Sequence, residues 1–455
     1  MPEVTAITRA GAEVSLPENA VEDFGRSLRG HLILPVDQGY DEARIVFNAM
    51  IDKRPAMIVR CAGAADVIHA VDFARTHDLL VAVRGGGHSV AGKSVCEGGL
   101  LIDLSAMKGI RVDPARRTAR AEPGLRLGEF DRETQAFGLA TTLGVVSNTG
   151  LAGLTLGGGI GWLNGKHGLA CDNLLSVDVV TADGRFLTAS TSENEDLFWG
   201  VRGAGANLGI ATSFQYRLHP VGPVLGGMVL YPLSEAREVL RSYFEFASAC
   251  PDEVSTAVVL LTDPDGNPVV AVVACHCGPL AEGEKALAPL RTFGSPVADL
   301  IRPMAYVEMQ CLVDESWLPG HQHYWKAGYV RALTDEAIEV MAEYASAPSP
   351  MSCVFMQQTH GAASRVDPAE TAFPHRLEQH DFGVYSIWDD PADSEKNVAW
   401  ARDFFEAMRP HLKRGVYVNS LGEEGEERVR AAYGPNYERL GELKDKYDPT
   451  NFLPP

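Results

Sequence analysis

In the run VRGGGHSVAG, Val83 to Gly92, three consecutive glycines end on a histidine, His88. Glycine runs occur where backbone must approach a partner closely or take φ > 0. The loop is therefore either a tight turn between strands or a cradle that sets an imidazole beside a ligand. Two further glycine-rich stretches follow, LTLGGGIGWLNGKHGL (Leu154 to Leu169) and VRGAGANLGIAT (Val201 to Thr212). Each approximates a dinucleotide fingerprint, but with GxGxxxG in place of GxGxxG. Neither is followed about 20 residues on by an acidic residue closing a strand, so a nicotinamide-binding Rossmann unit is the weaker reading.

Other groups that could hold a metal are sparse. The eight cysteines (Cys61, Cys96, Cys171, Cys250, Cys275, Cys277, Cys311, Cys353) are scattered, with one CxC at Cys275 and Cys277 inside the strand-like VVAVVACHC. Metal sites need such clusters at defined spacing, so buried thiols, no metal and no disulfide framework are expected. The histidines His321, His323 and His360 make an equally weak case, because HxH alone does not define a site.

These residues need a scaffold, and the chain is long enough for two or three cores: 455 residues, 45% hydrophobic. Its 40 basic and 60 acidic residues give a formal charge of −20, which repels nucleic acid and anionic membrane surfaces and excludes both as expected partners. The start MPEVTAITRAGAEVSLPENA lacks the pattern of a secretory signal, and no apolar run approaches a membrane span, so a soluble, cytoplasmic protein is expected. IDKRPAMIVRCAG reads as a strand, AADVIHAVDFARTHDL as a helix and LLVAVR as a strand ending at the glycines, a βαβ-like start. GLLIDLS, GIRVDPARRTARAEPG and LLSVDVVTADGRFLTAS read as strands and hairpins, with Asp183-Gly184 as a tight turn. From about Val221 strands alternate with helices such as DEAIEVMAEYA. The last segment reads as helix to about Tyr447, stopped by Pro449.

Several glycine loops in one half of a chain suit a ligand that runs far beside backbone, offering a pyrophosphate to N–H groups and a flat ring to small residues, as FAD does. Four ordered stretches then resemble one family. RGGGHS, GVVSNTGLAGLTLGGGIGWLNGKHGLACDNLLSVDVVTADG, DLFWGVRGAGANLGIAT and NYERLGELKDKYDPTNF are similar to the FAD-linked oxidases of the berberine-bridge-enzyme-like group, within the vanillyl-alcohol-oxidase type of flavoprotein. The resemblance covers nearly the whole chain. It implies an α+β fold with a two-subdomain PCMH-type FAD-binding domain and a substrate domain whose antiparallel sheet is covered by helices. The expected boundaries are residues 1–215 for FAD, 216–409 for substrate, and 410–455 returning to the FAD domain.

By the same resemblance His88 carries FAD covalently through the flavin 8α carbon. Arg84, Gly85, Gly86, Gly87 and Ser89 join it at the cofactor. So do Val146, Thr149, Gly150, Gly153, Gly157, Gly158 and Gly161 in the second stretch, Gly205, Asn207, Gly209 and Ile210 in the third, and Asn451 in the last. Many members add a cysteinyl link, but here the position holds Val146, so only the histidyl linkage is expected; Cys171 does not substitute on spacing. Thr149 occupies the position that gates oxygen, and its volume, close to valine, resembles the open, oxidase-like state. RGVYVNSLGEEG (Arg414 to Gly425) matches the YxN segment, which makes Tyr417 the expected base and Asn419 a supporting contact. A phenol with a pKa near ~10 needs a neighbouring cation or hydrogen bonds to act near neutrality, and Lys326 is the suggested neighbour. Ser420 stands where some relatives carry a second aromatic hydroxyl.

For the substrate pocket the expected residues are Tyr385 in FGVYSIWDDP, Gln357 in VFMQQTHG, and Tyr324 and Trp325 in HQHYWKAG, each of which a half-buried sheet could equally use for packing. The expected activity is hydride transfer from a small-molecule alcohol or amine to flavin, with O2 giving hydrogen peroxide. A dehydrogenase with another acceptor, and a cyclase or binding protein that merely retains FAD, stay open as alternatives. Substrate identity and oligomeric state are not readable. After the YDPTNF motif the chain runs only through Leu453-Pro454-Pro455, where relatives usually continue further.

Overall fold

The computed structural model describes residues 3–422 and 424–453, so Pro454 and Pro455 lie outside the described residues. Among the described residues three sheets position the site. The first has four strands in the order His31–Ile33, Met57–Arg60, Leu100–Asp103, Val81–Arg84, the last three parallel. Helix Ala64–Thr76 connects Met57–Arg60 to Val81–Arg84 as the apolar spacing predicts, but Leu100–Asp103 is threaded between those two strands. The reason is burial: all four residues of LLID are enclosed, and a strand buried on both faces needs a neighbour on each side.

The second sheet is antiparallel, in the order Phe186–Ser190, Leu174–Val180, Ile210–Arg217, Thr118–Ala121, Ile110–Asp113. Its first hairpin turns at Asp183-Gly184 as expected, with Gly184 at φ 81°. The third sheet is larger and antiparallel. It runs from Ala298–Asp299 through Val224–Pro232, Pro268–His276, Val254–Thr262, Cys353–Thr359 and Gln379–Trp388 to Gln322–Val330. One face packs Val258, Val354, Phe382 and Val384 under helices Ala236–Ala247, Asp335–Tyr344 and Ser394–Met408. The other face carries Val259, Phe355, Tyr385 and Ile387 toward Val146 and Trp162 of the first half of the chain. Strand alternation therefore sends Asp381, Gly383 and Tyr385 to the side that meets the glycine loops, and Phe382 and Val384 to the helices.

The chain then returns. Tyr433, Leu440, Leu443 and Tyr447 enter the core of the second sheet beside Phe214 and Tyr216, and Phe452 and Leu453 enter that of the first. The single helix expected there is two, Glu426–Tyr433 and Tyr437–Tyr447, because Gly434 at φ 47° and Pro435 interrupt the hydrogen-bond ladder. A bidentate pair from Arg376 to Asp172, at 2.8 and 2.7 Å, fixes the loop before Gln379–Trp388 against the second glycine stretch. No helix among the described residues is long and apolar enough to cross a membrane.

One carboxamide joins the halves. Buried Asn48 donates Nδ2–H to the carbonyls of Val90 (2.8 Å) and His323 (3.0 Å), and its Oδ1 accepts the His323 N–H at 3.0 Å. Beside it Gly320 donates to the Phe47 carbonyl and Ala49 to that of His321. Asn48→Ala strips three buried backbone groups of partners, each worth about 1–3 kcal/mol when orphaned. Urea unfolding should show a loss of about 3 kcal/mol; a loss below about 0.5 kcal/mol would mean that the seam holds without it.

Candidate active site

Strand Val81–Arg84 delivers the glycine loop, and its last residue anchors it. Arg84 reaches both Asp103 oxygens from Nε (3.2 Å) and Nη2 (2.7 Å) and the Ile45 carbonyl from Nη1 (3.2 Å). Burial opposes ionisation of Asp103, but the Arg84 hydrogen bond and charge, with Ser105, hold its carboxyl below the usual range. The Arg84 guanidinium thus lies beneath the loop, paired.

Above it two backbones cross. A Cβ on Gly86 would stand 2.3 Å from Gly150 Cα, and one on Gly150 2.5 Å from Gly86 Cα, so only glycine fits at either position. Beyond the crossing Gly87 takes φ 72° and turns the chain toward His88. Among the described residues the N–H groups of Gly85, Gly86, Gly87, His88 and Ser89 have no protein acceptor. The His88 ring stacks on Phe47 at 4.3 Å and 17°, and its Nε2 is buried without a partner. Burial first, then the charge of Arg126, pushes the imidazole pKa down to about 3, so the ring is neutral.

These features fit a flavin: unclaimed N–H groups, an orphaned ring nitrogen, and open space over Gly153 and beside Gly205, where a Cβ would meet nothing closer than Tyr433 Oη at 3.8 Å. Around other expected residues the structure shows protein neighbours. Gly157 yields to Asn419 Oδ1, Gly158 to the Phe373 ring, Gly161 to the Gly144 carbonyl and Gly209 to Val179. Asn207 braces its own loop through the Ala204 carbonyl and Tyr433, and Ile210 is a core residue of its strand. Asn451 is an exposed left-handed turn residue at φ 49°. Ser89 Oγ accepts the Lys93 N–H. Val146 presents methyl groups to an apolar cluster, so no sulfur is available there, and Thr149 is half-buried with its carbonyl bonded to Leu127 N–H.

Facing the loops, the third sheet and the returning C-terminal segment contribute the acid–base groups. Tyr417 Oη accepts the Gly159 N–H at 2.9 Å and the Asn419 Nδ2–H at 2.8 Å. Burial nevertheless carries its pKa well above the ordinary value. Among the described residues no cation compensates: Lys326 lies on the helix side of its strand, paired with Glu424 at 2.9 Å. Tyr324 shares that side, where its hydroxyl accepts from Arg402, so the expectation that it lines the pocket is corrected. Trp325, one residue on, does face the site, edge-on to Tyr385 and Trp317.

Sequence reasoning missed Asp381. Its Oδ1 is buried without a partner, and burial raises its pKa to about 7. Its charge acts on Tyr329, Tyr385 and Tyr417 together, which brings four acidic groups to one spot. Gln357 pairs opposite it in register with a free, buried Nε2, and the Tyr385 hydroxyl bonds Ser420. Tyr385 reaches back only because Gly383 has no side chain: a Cβ there would stand 2.2 Å from the ring. The available signal was a carboxylate inside QHDFGVYSIW, a run otherwise without acidic residues. The histidines considered for metal are dispersed, His360 on the Val254 carbonyl and His321 on Asp389. Among the described residues no group of three or more His, Cys, Asp or Glu is placed to hold an ion.

Comparison with known proteins is consistent with this geometry. Residues 55–190 match the family described as FAD binding domain, and residues 416–453 that described as berberine and berberine like. An FAD-linked oxidoreductase of Dictyostelium discoideum is 34% identical over 440 residues, covering 95% of each chain. The (R)-6-hydroxynicotine oxidase of Paenarthrobacter nicotinovorans is 32% identical, covering 93% of this chain and 95% of its own. The crystal structure of 6-hydroxy-D-nicotine oxidase from Arthrobacter nicotinovorans superposes with a TM-score of 0.86 at 31% identity, over 94% of this chain and 96% of that one.

The Asp381 carboxyl leaves a signature in stability. It stays protonated in the folded chain to about 7, whereas an unfolded aspartate ionises near ~3.9. Between those values the unfolded chain has released a proton that the folded chain retains, so stability falls as pH rises, by up to ~4 kcal/mol across the window. Asp381→Asn lacks this titration. Its unfolding free energy relative to the parent should climb by a few kcal/mol from about pH 4 to about pH 8, and parallel curves would show that the carboxyl is not shifted.

Proposed function

The chain belongs to the FAD-linked oxidoreductases of the berberine and berberine-like family, and on that premise we propose that it oxidises an alcohol or amine carbon of a small molecule, with O2 as the final acceptor and hydrogen peroxide as product. The observation that carries the reading is Asp381: a buried carboxyl with a free oxygen and a pKa of about 7, beside Tyr417, on the sheet face that meets the His88 loop.

Bound between that face and the glycine loops, FAD supplies a two-electron acceptor for hydride leaving the substrate carbon. His88 holds it through a covalent bond, and Val146 offers no second link. The substrate O–H or N–H proton must leave with the hydride, and an acceptor works best when its pKa is near the operating pH. Asp381 meets that condition and Tyr417, raised by burial, does not; we therefore assign the base to Asp381. Tyr417, its oxygen fixed by the Gly159 and Asn419 N–H groups, orients the substrate heteroatom toward that carboxylate. Gln357 offers a free N–H on the same face, and Trp325 and Tyr385 exclude water around it. That a similar protein is named a hydroxynicotine oxidase supports the amine branch of this reading.

Two measurements test it. After acid precipitation the flavin should stay with the protein, and in His88→Ala it should pass to the supernatant; release from the parent protein would remove the covalent assignment. In anaerobic stopped flow with an oxidisable substrate, Asp381→Asn should slow flavin bleaching by at least ~100-fold, and Tyr417→Phe by less. An Asp381→Asn rate equal to the parent's would return the base to Tyr417.

A further inference from the structure

Asp381 is flanked in register, on both sides, by a side chain with a free polar atom. In the third sheet it pairs with Tyr329 of Gln322–Val330 and with Gln357 of Cys353–Thr359, so the three side chains form one row across neighbouring strands, on the face that meets the glycine loops. All three are buried, and each carries an atom with no protein partner: Tyr329 Oη, Asp381 Oδ1 and Gln357 Nε2. In a core, buried polar groups are bonded as a rule, so three free atoms in one row ask for a cause. A single event accounts for all of them. A neutral carboxyl leaves its neighbours unbonded, whereas a buried carboxylate needs N–H or O–H donors to replace the water it has lost.

The other groups around the row are engaged elsewhere. The Tyr385 hydroxyl, on the same strand as Asp381, bonds Ser420, and Tyr417 Oη is held by the Gly159 and Asn419 N–H groups. Arg376, on the loop before that strand, acts on Tyr329, but its guanidinium is bonded to Asp172 and Thr371. The His375 ring centroid lies 4.7 Å from that of Tyr329; burial takes its pKa down to about 4, so the ring is neutral, and it donates Nε2–H to the Ala432 carbonyl. Cys171, packed in the same cluster, keeps its proton because burial raises the thiol. Burial first, then the charge of Asp381, holds the Tyr329 phenol well above its ordinary range, so it remains a donor. We propose that Tyr329 and Gln357 are positioning residues that close on Asp381 Oδ1 from either side when the carboxyl ionises, so that the sheet itself stabilises the charged form of the base. The proposal rests on Asp381 being the base. It divides the work of the row: Asp381 takes the proton, and its two neighbours set the pH at which it can.

Infrared difference titration of the flavin-loaded protein reads the carboxyl directly, as the C=O band that Asp381→Asn removes. Tyr329→Phe, which deletes one oxygen and keeps the ring, should move the midpoint of that band up by about one pH unit, the size expected for a hydrogen bond to a charged group, and Gln357→Leu should move it the same way. Tyr385→Phe should move it far less, since that hydroxyl is committed to Ser420. A fluorinated tyrosine at position 329 has nearly the same shape but is a stronger donor, so it should move the midpoint down, which a packing role for the ring does not produce. A midpoint that the fluorinated residue leaves in place overturns the proposal, even where Tyr329→Phe is too unstable to compare, and leaves Asp381 as the base. If Asp381→Asn removes no band that titrates between about pH 5 and 9, the base assignment itself fails and takes the proposal with it.

Discussion

Two stretches of backbone pass at Gly86 and Gly150 closer than any side chain permits, and the site is arranged around that contact. It holds the His88 loop against the Val146–Gly150 loop, so the imidazole and the Asn148 carbonyl share one small volume. Arg84 and Asp103 brace the crossing from below, inside the first sheet, and Arg126 straddles it from the side. Glycine at both positions is thus a requirement of geometry. The long run of unpartnered N–H groups is its by-product, since a chain that crosses another this tightly has no strand neighbour to bond.

Around the crossing the protein places groups whose ordinary charge states burial suppresses. His88 is neutral, Asp381 is poised near neutrality, and Tyr417 retains its proton. Such groups destabilise the apo fold, because a buried polar atom without a partner forgoes its water. The cost is tolerated because the surrounding shell is over-determined: the Arg376–Asp172 pair, the Asn48 clasp and three packed sheets fix positions that the site groups would not hold themselves. His88 Nε2, Asp381 Oδ1 and Gln357 Nε2 lie buried without protein partners, a pattern that functional sites often show.

Much of this was readable from residue order. The glycine loops, the Asp183-Gly184 hairpin, the helix between Met57–Arg60 and Val81–Arg84 and the late return of the chain follow from turn chemistry and apolar spacing, which are local signals. What escaped depends on neighbours distant in sequence. Tyr324 and Trp325 sit one residue apart and therefore on opposite faces, and only pairing with Gln379–Trp388 decides which face meets the loops. Gly157, Gly158, Gly161 and Gly209 announce that something comes close, but not whether it is a ligand or Asn419, Phe373, Gly144 and Val179. Asp381 passed unnoticed because a carboxylate in a strand looks exposed until both faces are seen to be covered.

The division of the first two cores between distant parts of the chain bears on biosynthesis. By Arg217 both of the smaller sheets have been translated, yet their apolar interiors still lack Tyr433, Leu440, Leu443 and Phe452. About 200 further residues separate the two events, which at about 5–20 residues per second is ~10–40 s on the ribosome with an unfinished hydrophobic face. The third sheet can pair locally during that interval, since its strands are close in sequence. The middle of the nascent chain can therefore complete its core before the beginning does, because the beginning waits for residues at the other end of the sequence.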